Sequence, residues 1–333
     1  MGYRIRLQPS GREFIAEAQE SLLEAALRNG VNLPYNCSGG SCGVCKARLL
    51  SGEIGSRRFH DYIFSETEKR DNYLLMCSVS AGSDMDLQVN EIDGVHAIPH
   101  QRISTRVAKL EHIGERFLIL TLRTPRTQTL QFLAGQHVQL RVGDRFVCDA
   151  AVASCPCNGM YLQFHLTRQS PDASVAAHAF GTLHVNDVVE VDGPYGDFTL
   201  DETSMRPIVM VAQGTGFASI KSVLEHGIAL ELAQAVTLFW FSSSSDGHYQ
   251  ANLCRSWTDA LDNFTFHPLN CPKNAPDQAV TAVMERVADP AHCDVYLSVD
   301  SGVSVALIAA FIARGTPRER IFVMEKRPCG FER

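Results

Sequence analysis

The chain has no long apolar run. Nowhere in its 333 residues do eighteen apolar residues stand together, so no membrane span is expected. The opening stretch "MGYRIRLQPSGREF" lacks the apolar core and small-residue cleavage site of a signal peptide. Arg6 stands where the myristoylation pattern asks for Ser or Thr. Basic charge is scarce: 30 Lys and Arg face 37 Asp and Glu, a net charge of −7. That balance opposes bulk attraction to nucleic acid. With no basic stripe or helix-turn-helix pattern to offset it, direct nucleic-acid binding is not expected. The 12 histidines show no H-E-x-x-H or similar spacing, so the common zinc-hydrolase pattern is missing. Charged residues are 20% and hydrophobic residues 45%. This is enough apolar material for two or three domains with their own cores and too little charge for wholesale disorder.

Cysteine is plentiful. There are 11, an odd number, and with no export signal this points to a reducing cytoplasm and against a disulfide framework. The stretch "NLPYNCSGGSCGVCKARLLSG" places Cys37, Cys42 and Cys45 in a C-x4-C-x2-C run, and Cys77 follows in "YLLMCSVSAG". This is the plant-type [2Fe–2S] spacing with its distant fourth cysteine. Four thiolates must converge on two irons while backbone N–H groups point at the sulfurs, and Gly39, Gly40 and Gly43 allow the curved path this needs. Zinc is the alternative metal, although its usual sites carry two C-x2-C pairs and only one is present. Cys155 and Cys157 form a separate C-x-C, open to three readings: metal ligands, a redox pair, or an incidental pair on a turn.

The remaining pattern divides the chain. "YRIRLQPSGREFIAEA" reads as two strands around a Ser-Gly turn, "SLLEAALRNG" as a short helix ending at Gly30, and "DMDLQVNEI" as a closing strand. A Gly/Pro-containing, aperiodic stretch over 94–101 reads as a linker. Short alternating runs over 102–204, interrupted by a helical "ASVAAHAFGTL", suggest an antiparallel barrel. From 205 to 333, strand and helix patterns alternate, as in a doubly wound parallel sheet. The stretch "VMVAQGTGFASIKSVLEHG" reads as strand, glycine turn and helix, an arrangement that can hold a dinucleotide phosphate.

The order is a β-grasp ferredoxin domain (1–93), a barrel (102–204) and a nucleotide-binding-like α/β domain (205–333). It resembles the ferredoxin–NADP reductase superfamily, in the form found as reductase components of aromatic-ring and alkane oxygenases. The cluster loop, "AGQHVQLRV" (134–142), "GPYGDFTL" (193–200), "AQGTGFASIKSVLE" (212–225) and "GTPRERIFV" (315–323) carry the resemblance. It implies FAD on the barrel, NAD(P)H on the α/β domain, and electron flow through the cluster to a partner ferredoxin or oxygenase component.

Several family positions differ here. The flavin-holding Arg-x-Tyr-Ser of the barrel aligns with Cys148, Ala150 and Ala151. Ser154 and Ser174 are left to offer polar contacts, so the expectation is a flavin held more loosely than in the family, with an empty or differently filled pocket as the alternative. The family's Gly-Gly-Thr-Gly becomes Gln213-Gly214-Thr215-Gly216. Phe241 stands at a usually small position and Ser243 near a usual Arg. Ser298-Val299-Asp300 replaces Cys-Gly-Pro, which brings an acidic group toward a polyphosphate ligand. The C-terminal aromatic shielding the flavin is replaced near Glu325 and Lys326, with Phe331 farther along as a substitute. Together these count against efficient NAD(P)H oxidation. Cluster plus altered nucleotide site is similar to the ferredoxin-reductase-like regulatory proteins of tetralin degradation, which act with a LysR-type activator. The favoured expectation is therefore a redox-responsive accessory protein acting on transcription through a protein partner. The alternative is an NAD(P)H-dependent reductase feeding an oxygenase.

Overall fold

The structure is a computed structural model that describes residues 2–35, 37–91, 98–125, 128–143, 146–157, 159–168, 179, 181–243, 247–272 and 275–324. Its first unit runs β1 (Gly2–Gln8), β2 (Glu13–Glu17), α1 (Leu22–Arg28), β3 (Lys46–Ser51), β4 (Ile54–Arg57), α2 (Glu66–Arg70), β5 (Tyr73–Leu75), β6 (Val79–Ala81) and β7 (Met85–Gln88). In β1, Ile5 and Leu7 point inward while Arg4 and Arg6 point out, the period-2 pattern of a half-buried strand. The sheet order is β2-β1-β7-β3-β5, with β4 and β6 paired separately. Helix α1 begins where Ser21 and Glu24 cap each other's backbone N–H groups. Past its end, Gly30 takes φ +67°, the left-handed turn that glycine accepts without a Cβ penalty.

The second unit is one curled antiparallel sheet. Its strands are β8 (Gln101–Ile113), β9 (Phe117–Arg123), β10 (His137–Val142), β11 (Phe146–Ala151), β12 (Tyr161–Thr167) and β13 (Val188–Tyr195), in the order β11-β10-β13-β8-β9-β12. Just past β11 the edges meet: the Ala153 N–H donates to the Gln163 carbonyl of β12 at 2.7 Å. The helix expected over "ASVAAHAFGTL" lies largely outside the described residues.

The third unit alternates β14 (Ile208–Gln213), α3 (Phe217–Ala229), β15 (Val236–Ser242), α4 (Ala251–Ala260), β16 (Phe264–Asn270), α5 (Pro276–Met284), β17 (Asp294–Ser298), α6 (Ser301–Ala313) and β18 (Ile321–Val323). The strands are parallel, in the order β16-β15-β14-β17-β18. The order reverses between β14 and β17, and in such sheets ligands bind beyond the strand ends at that point. Phe239 and Phe241 pack in the core on one face. Trp240 packs in the core on the other, with Phe217 of α3. Among the described residues no helix is long and apolar enough to cross a membrane.

The three units touch through named contacts. The buried Gln131 amide donates to the Leu33 carbonyl at 2.9 Å, four residues before the first cluster cysteine. Arg12 of the first unit lies 3.7 Å from Glu202. Against the barrel, Lys221 donates to the Ala153 carbonyl at 3.1 Å and Ser222 to that of Ser154 at 2.8 Å. An acceptor buried without its donor costs about 1–3 kcal/mol, whereas an exposed ion pair contributes far less. Gln131→Ala should therefore loosen the first unit more than Arg12→Ala does. Limited proteolysis should release the N-terminal unit faster from the Gln131 variant; equal release from both would count against that ranking.

Candidate functional site: a cysteine loop and a strand-end crevice

The loop between α1 and β3 gathers the thiols. Cys37, Cys45 and Cys77 are buried and Cys42 is half-buried. The N–H groups of Ser41 and Cys42 point at the Cys37 sulfur at 3.3 and 3.4 Å. The Val44 N–H points at the Cys42 sulfur at 3.5 Å. Cys45 and Cys77 face each other at 3.2 Å between sulfurs. The loop bends at Ser38 (φ +49°), Gly40 (+81°) and Gly43 (+73°). Gly39 does not take a left-handed conformation among these; Ser38 does. At Gly43 the constraint is doubled, because a Cβ there would sit 2.1 Å from the Tyr62 ring. Tyr62 is itself fixed by Lys46, whose ammonium donates to its hydroxyl at 2.9 Å and also pairs with Glu68.

Two of the four thiols are lowered and two are raised. Burial opposes ionisation of Cys37, but hydrogen bonds from Ser41 and from the backbone at Cys42 and Gly39 outweigh it and bring the thiol down to about 6. Cys77 is lowered to about 7, chiefly by the hydrogen bond from Cys45 and against the effect of burial. Cys45 is raised because it holds the proton facing that thiolate. Among the described residues no three His, Cys, Asp or Glu side chains gather as ligands of a single ion. The thiols instead form two neighbouring pairs, Cys37 with Cys42 and Cys45 with Cys77. Two pairs suit two irons bridged by sulfides, where each iron takes two thiolates. One tetrahedral zinc would need all four around a point.

The second feature is the crevice at the ends of β14 and β17. Gly214 (φ +55°) opens the turn. Gly216 lies so close to β17 that a Cβ would sit 2.1 Å from the Ser298 carbonyl oxygen. Beneath the turn, Ser219 bridges the Gly216 carbonyl at 3.1 Å and the Ser298 hydroxyl at 3.0 Å. Across its mouth, the Asp300 N–H donates to the Gln213 side-chain oxygen at 2.9 Å. Asp300 is the N-cap of α6, so this bond closes the helix start where a phosphate would dock. Thr215 completes the turn and Ser243 is exposed. Phe241 pairs with Gln213 in register, yet it is 2% exposed and belongs to the core beneath α5 and α6. It is a packing residue, so any obstruction falls to Gln213 and Asp300.

On the barrel, Cys148 and Ala150 are buried against the barrel core, and Ala151 packs against the core shared with Trp240. None of the three offers a cation, a ring or a hydroxyl. The Ser154 hydroxyl accepts the Gln163 N–H at 3.2 Å. Ser174, Glu325, Lys326 and Phe331 lie outside the described residues. Sequence reasoning missed the aromatic weld beside this strand. Phe217 stacks on Trp240 at 4.0 Å, Tyr249 stacks on Phe117 of the barrel at 4.6 Å, and His165 bonds the Tyr249 hydroxyl at 2.8 Å. Burial, helped by the Lys221 charge, brings His165 down to about 3, so it is neutral there. Two aromatic strand residues and an isolated Tyr carry no motif; only the third dimension joins them.

Residues 5–81 match the 2Fe-2S iron-sulfur cluster binding domain family. The chain is 28% identical over 328 residues to the CDP-6-deoxy-L-threo-D-glycero-4-hexulose-3-dehydrase reductase of Yersinia pestis, covering 97% of this chain and 98% of that protein. It is 28% identical over 266 residues to the reductase component 1 of terephthalate 1,2-dioxygenase from a Comamonas species, covering 80% and 78%. Its fold matches the Amycolatopsis cytochrome P450 reductase GcoB with a TM-score of 0.61 and 24% identity, over 96% of this chain and 98% of the other. Residues 5–81 are thus a 2Fe-2S cluster binding domain, and the whole chain shares the fold of that P450 reductase.

Gly43→Ala tests the cysteine loop. The left-handed backbone costs a residue with a Cβ roughly 1 kcal/mol, before the Tyr62 clash. The purified variant should lose iron and acid-labile sulfide at least about fivefold faster than the parent, the factor that 1 kcal/mol represents. Retention equal to the parent would show that the loop tolerates the methyl.

Proposed function

We propose that this chain is a reductase-type electron-transfer protein. It passes electrons from NAD(P)H, through flavin on the barrel, to the cluster and on to a protein acceptor, an oxygenase component or its ferredoxin. The observation that carries the reading is that all three units are present and joined, with the cysteine loop docked through Gln131. Support comes from relatives that match nearly end to end and are named reductases. They favour this function over action on transcription through an activator. FAD, when bound, supplies the conversion of a two-electron donor into single electrons that a [2Fe–2S] cluster accepts.

The chain's own residues set the limits. Without the motif Arg, a charge-assisted hydrogen bond of about 1.5–3 kcal/mol is missing from the flavin phosphates, roughly a tenfold to hundredfold loss of affinity. Cluster absorbance should therefore survive gel filtration while flavin is depleted, and added FAD should restore the flavin bands. Flavin that stays stoichiometric through repeated filtration would overturn the weak-site claim.

The Gln213–Asp300 bond must open before a dinucleotide reaches the turn. Anaerobic NADH or NADPH should bleach the flavin and cluster bands slowly. Gln213→Gly should speed bleaching by up to about tenfold, the worth of one modest hydrogen bond. No bleaching at saturating nucleotide, with full reduction by dithionite, would sink the reductase reading and return the regulatory one.

A further inference from the structure

Apart from cluster and crevice, one group of reactive side chains has no role in the proposed electron path. Cys155 and Cys157 follow β11 in "SCPCNG" and are joined as a disulfide. The two are unlike. Cys155 is buried at 8% exposure, while Cys157 is exposed. The Cys157 N–H points at the Cys155 sulfur at 3.4 Å. His226 of α3 also approaches that sulfur, with Nδ1 at 4.0 Å. His226 is itself buried, and its Nε2 is held by the Glu202 carboxylate at 3.0 Å. Glu202 in turn faces Arg12 of the N-terminal unit at 3.7 Å. A buried sulfur, an imidazole aimed at it and a carboxylate fixing that imidazole form an acid–base relay. Among the described residues of the third unit, burial raises the Cys254 and Cys293 thiols to about 12 and about 11.

We propose that Cys155 and Cys157 are a redox-active dithiol–disulfide pair, a second redox site that exchanges with dithiol substrates and uses His226 as its proton donor. In the reducing direction, one thiolate of the substrate attacks the exposed Cys157 sulfur. The Cys155–Cys157 bond breaks, and its electron pair leaves on the Cys155 sulfur, which takes the Nδ1 proton of the imidazolium form of His226; the ring recovers that proton from water. The substrate's second thiolate then attacks its own sulfur in the mixed disulfide. This forms the substrate disulfide and releases the Cys157 thiolate, which is protonated from water. The protein pair gains two electrons and two protons and the dithiol loses them. The geometry gives each cysteine its part. The exposed sulfur is the one a nucleophile can reach, and the buried one has an N–H and an imidazole to receive developing negative charge. Glu202 holds one ring nitrogen, so the other is left to face Cys155.

The test uses the whole cluster-containing protein under anaerobic conditions. It is equilibrated with set ratios of reduced to oxidised dithiothreitol, or of reduced to oxidised thioredoxin, alkylated with iodoacetamide, and mapped by peptide mass. Cys155 and Cys157 should change together, protected at the oxidising end and doubly alkylated at the reducing end. Response to dithiothreitol alone assigns a small dithiol as the substrate, and response to both includes protein dithiols. His226→Gln should slow reduction by about a hundredfold, the lower range for a positioned proton donor, with the cluster absorbance unchanged. If that variant does not fold, Glu202→Gln should slow reduction by a smaller factor. Free thiols at every ratio, independent reaction of the two cysteines, or parent-like rates in the folded variant would each overturn the proposal.

Discussion

The placement of one cysteine loop against its neighbours is the constraint on which everything else depends. Electrons pass between separate carriers only if the units that hold them keep fixed positions. Surface ion pairs cannot provide that rigidity, because exposed charges are screened and their side chains are mobile. The chain instead uses a buried amide. Gln131 reaches the Leu33 carbonyl and is itself held through its backbone by Gln101. Leu33 is directly ahead of the loop that carries Cys37. The barrel thus fixes the entrance to the cysteine loop, while Tyr62 and His60 pack on its glycines from within the first unit.

The same use of buried polar contacts fixes barrel against sheet. Lys221 is only 5% exposed, a costly place for a charge unless it is paired and hydrogen-bonded. It is both, to Glu225 at 2.6 Å and to the Ala153 carbonyl. The carbonyl it holds directly follows the strand where the flavin motif would stand. The aromatic weld of Phe117, His165, Phe217, Trp240 and Tyr249 also joins barrel and sheet. Apolar area supplies its affinity, and the His165–Tyr249 and Trp240–Gly214 hydrogen bonds give it one geometry.

Much of this was legible in sequence, because spacing and periodicity are local. The cysteine run, the short helix ending at Gly30, the barrel strands and the strand–helix alternation each follow from residues within a dozen positions of one another. What sequence did not reveal is relational. Phe241 read as an obstruction because it falls at a strand end, but strand parity turns it into the core. Gln213 read as a mere loss of glycine, whereas its amide makes a new bond to Asp300. Cys155, Glu202 and His226 are separated by tens of residues, and only the packing of α3 against the barrel brings them together. Gly39 read as one of three glycines that let the loop curve, but the left-handed positions are Ser38, Gly40 and Gly43.

Magnitudes decide what the altered crevice does. The Gln213–Asp300 bond is partly exposed, so its net worth is about 0.5–1.5 kcal/mol. An acidic side chain near a phosphate adds about 1 kcal/mol of repulsion in water at contact distance, less in salt. Together these cost roughly 2 kcal/mol, or about thirtyfold in affinity. A dinucleotide bound with micromolar affinity has about 8 kcal/mol to set against that. The scaffold beneath the crevice is also intact, because Gly214, Gly216 and the Ser219–Ser298 contact keep the turn in place. Two substitutions of this size weaken a site without abolishing it. On the proposed reading the crevice is therefore a weakened nucleotide site and not a closed one.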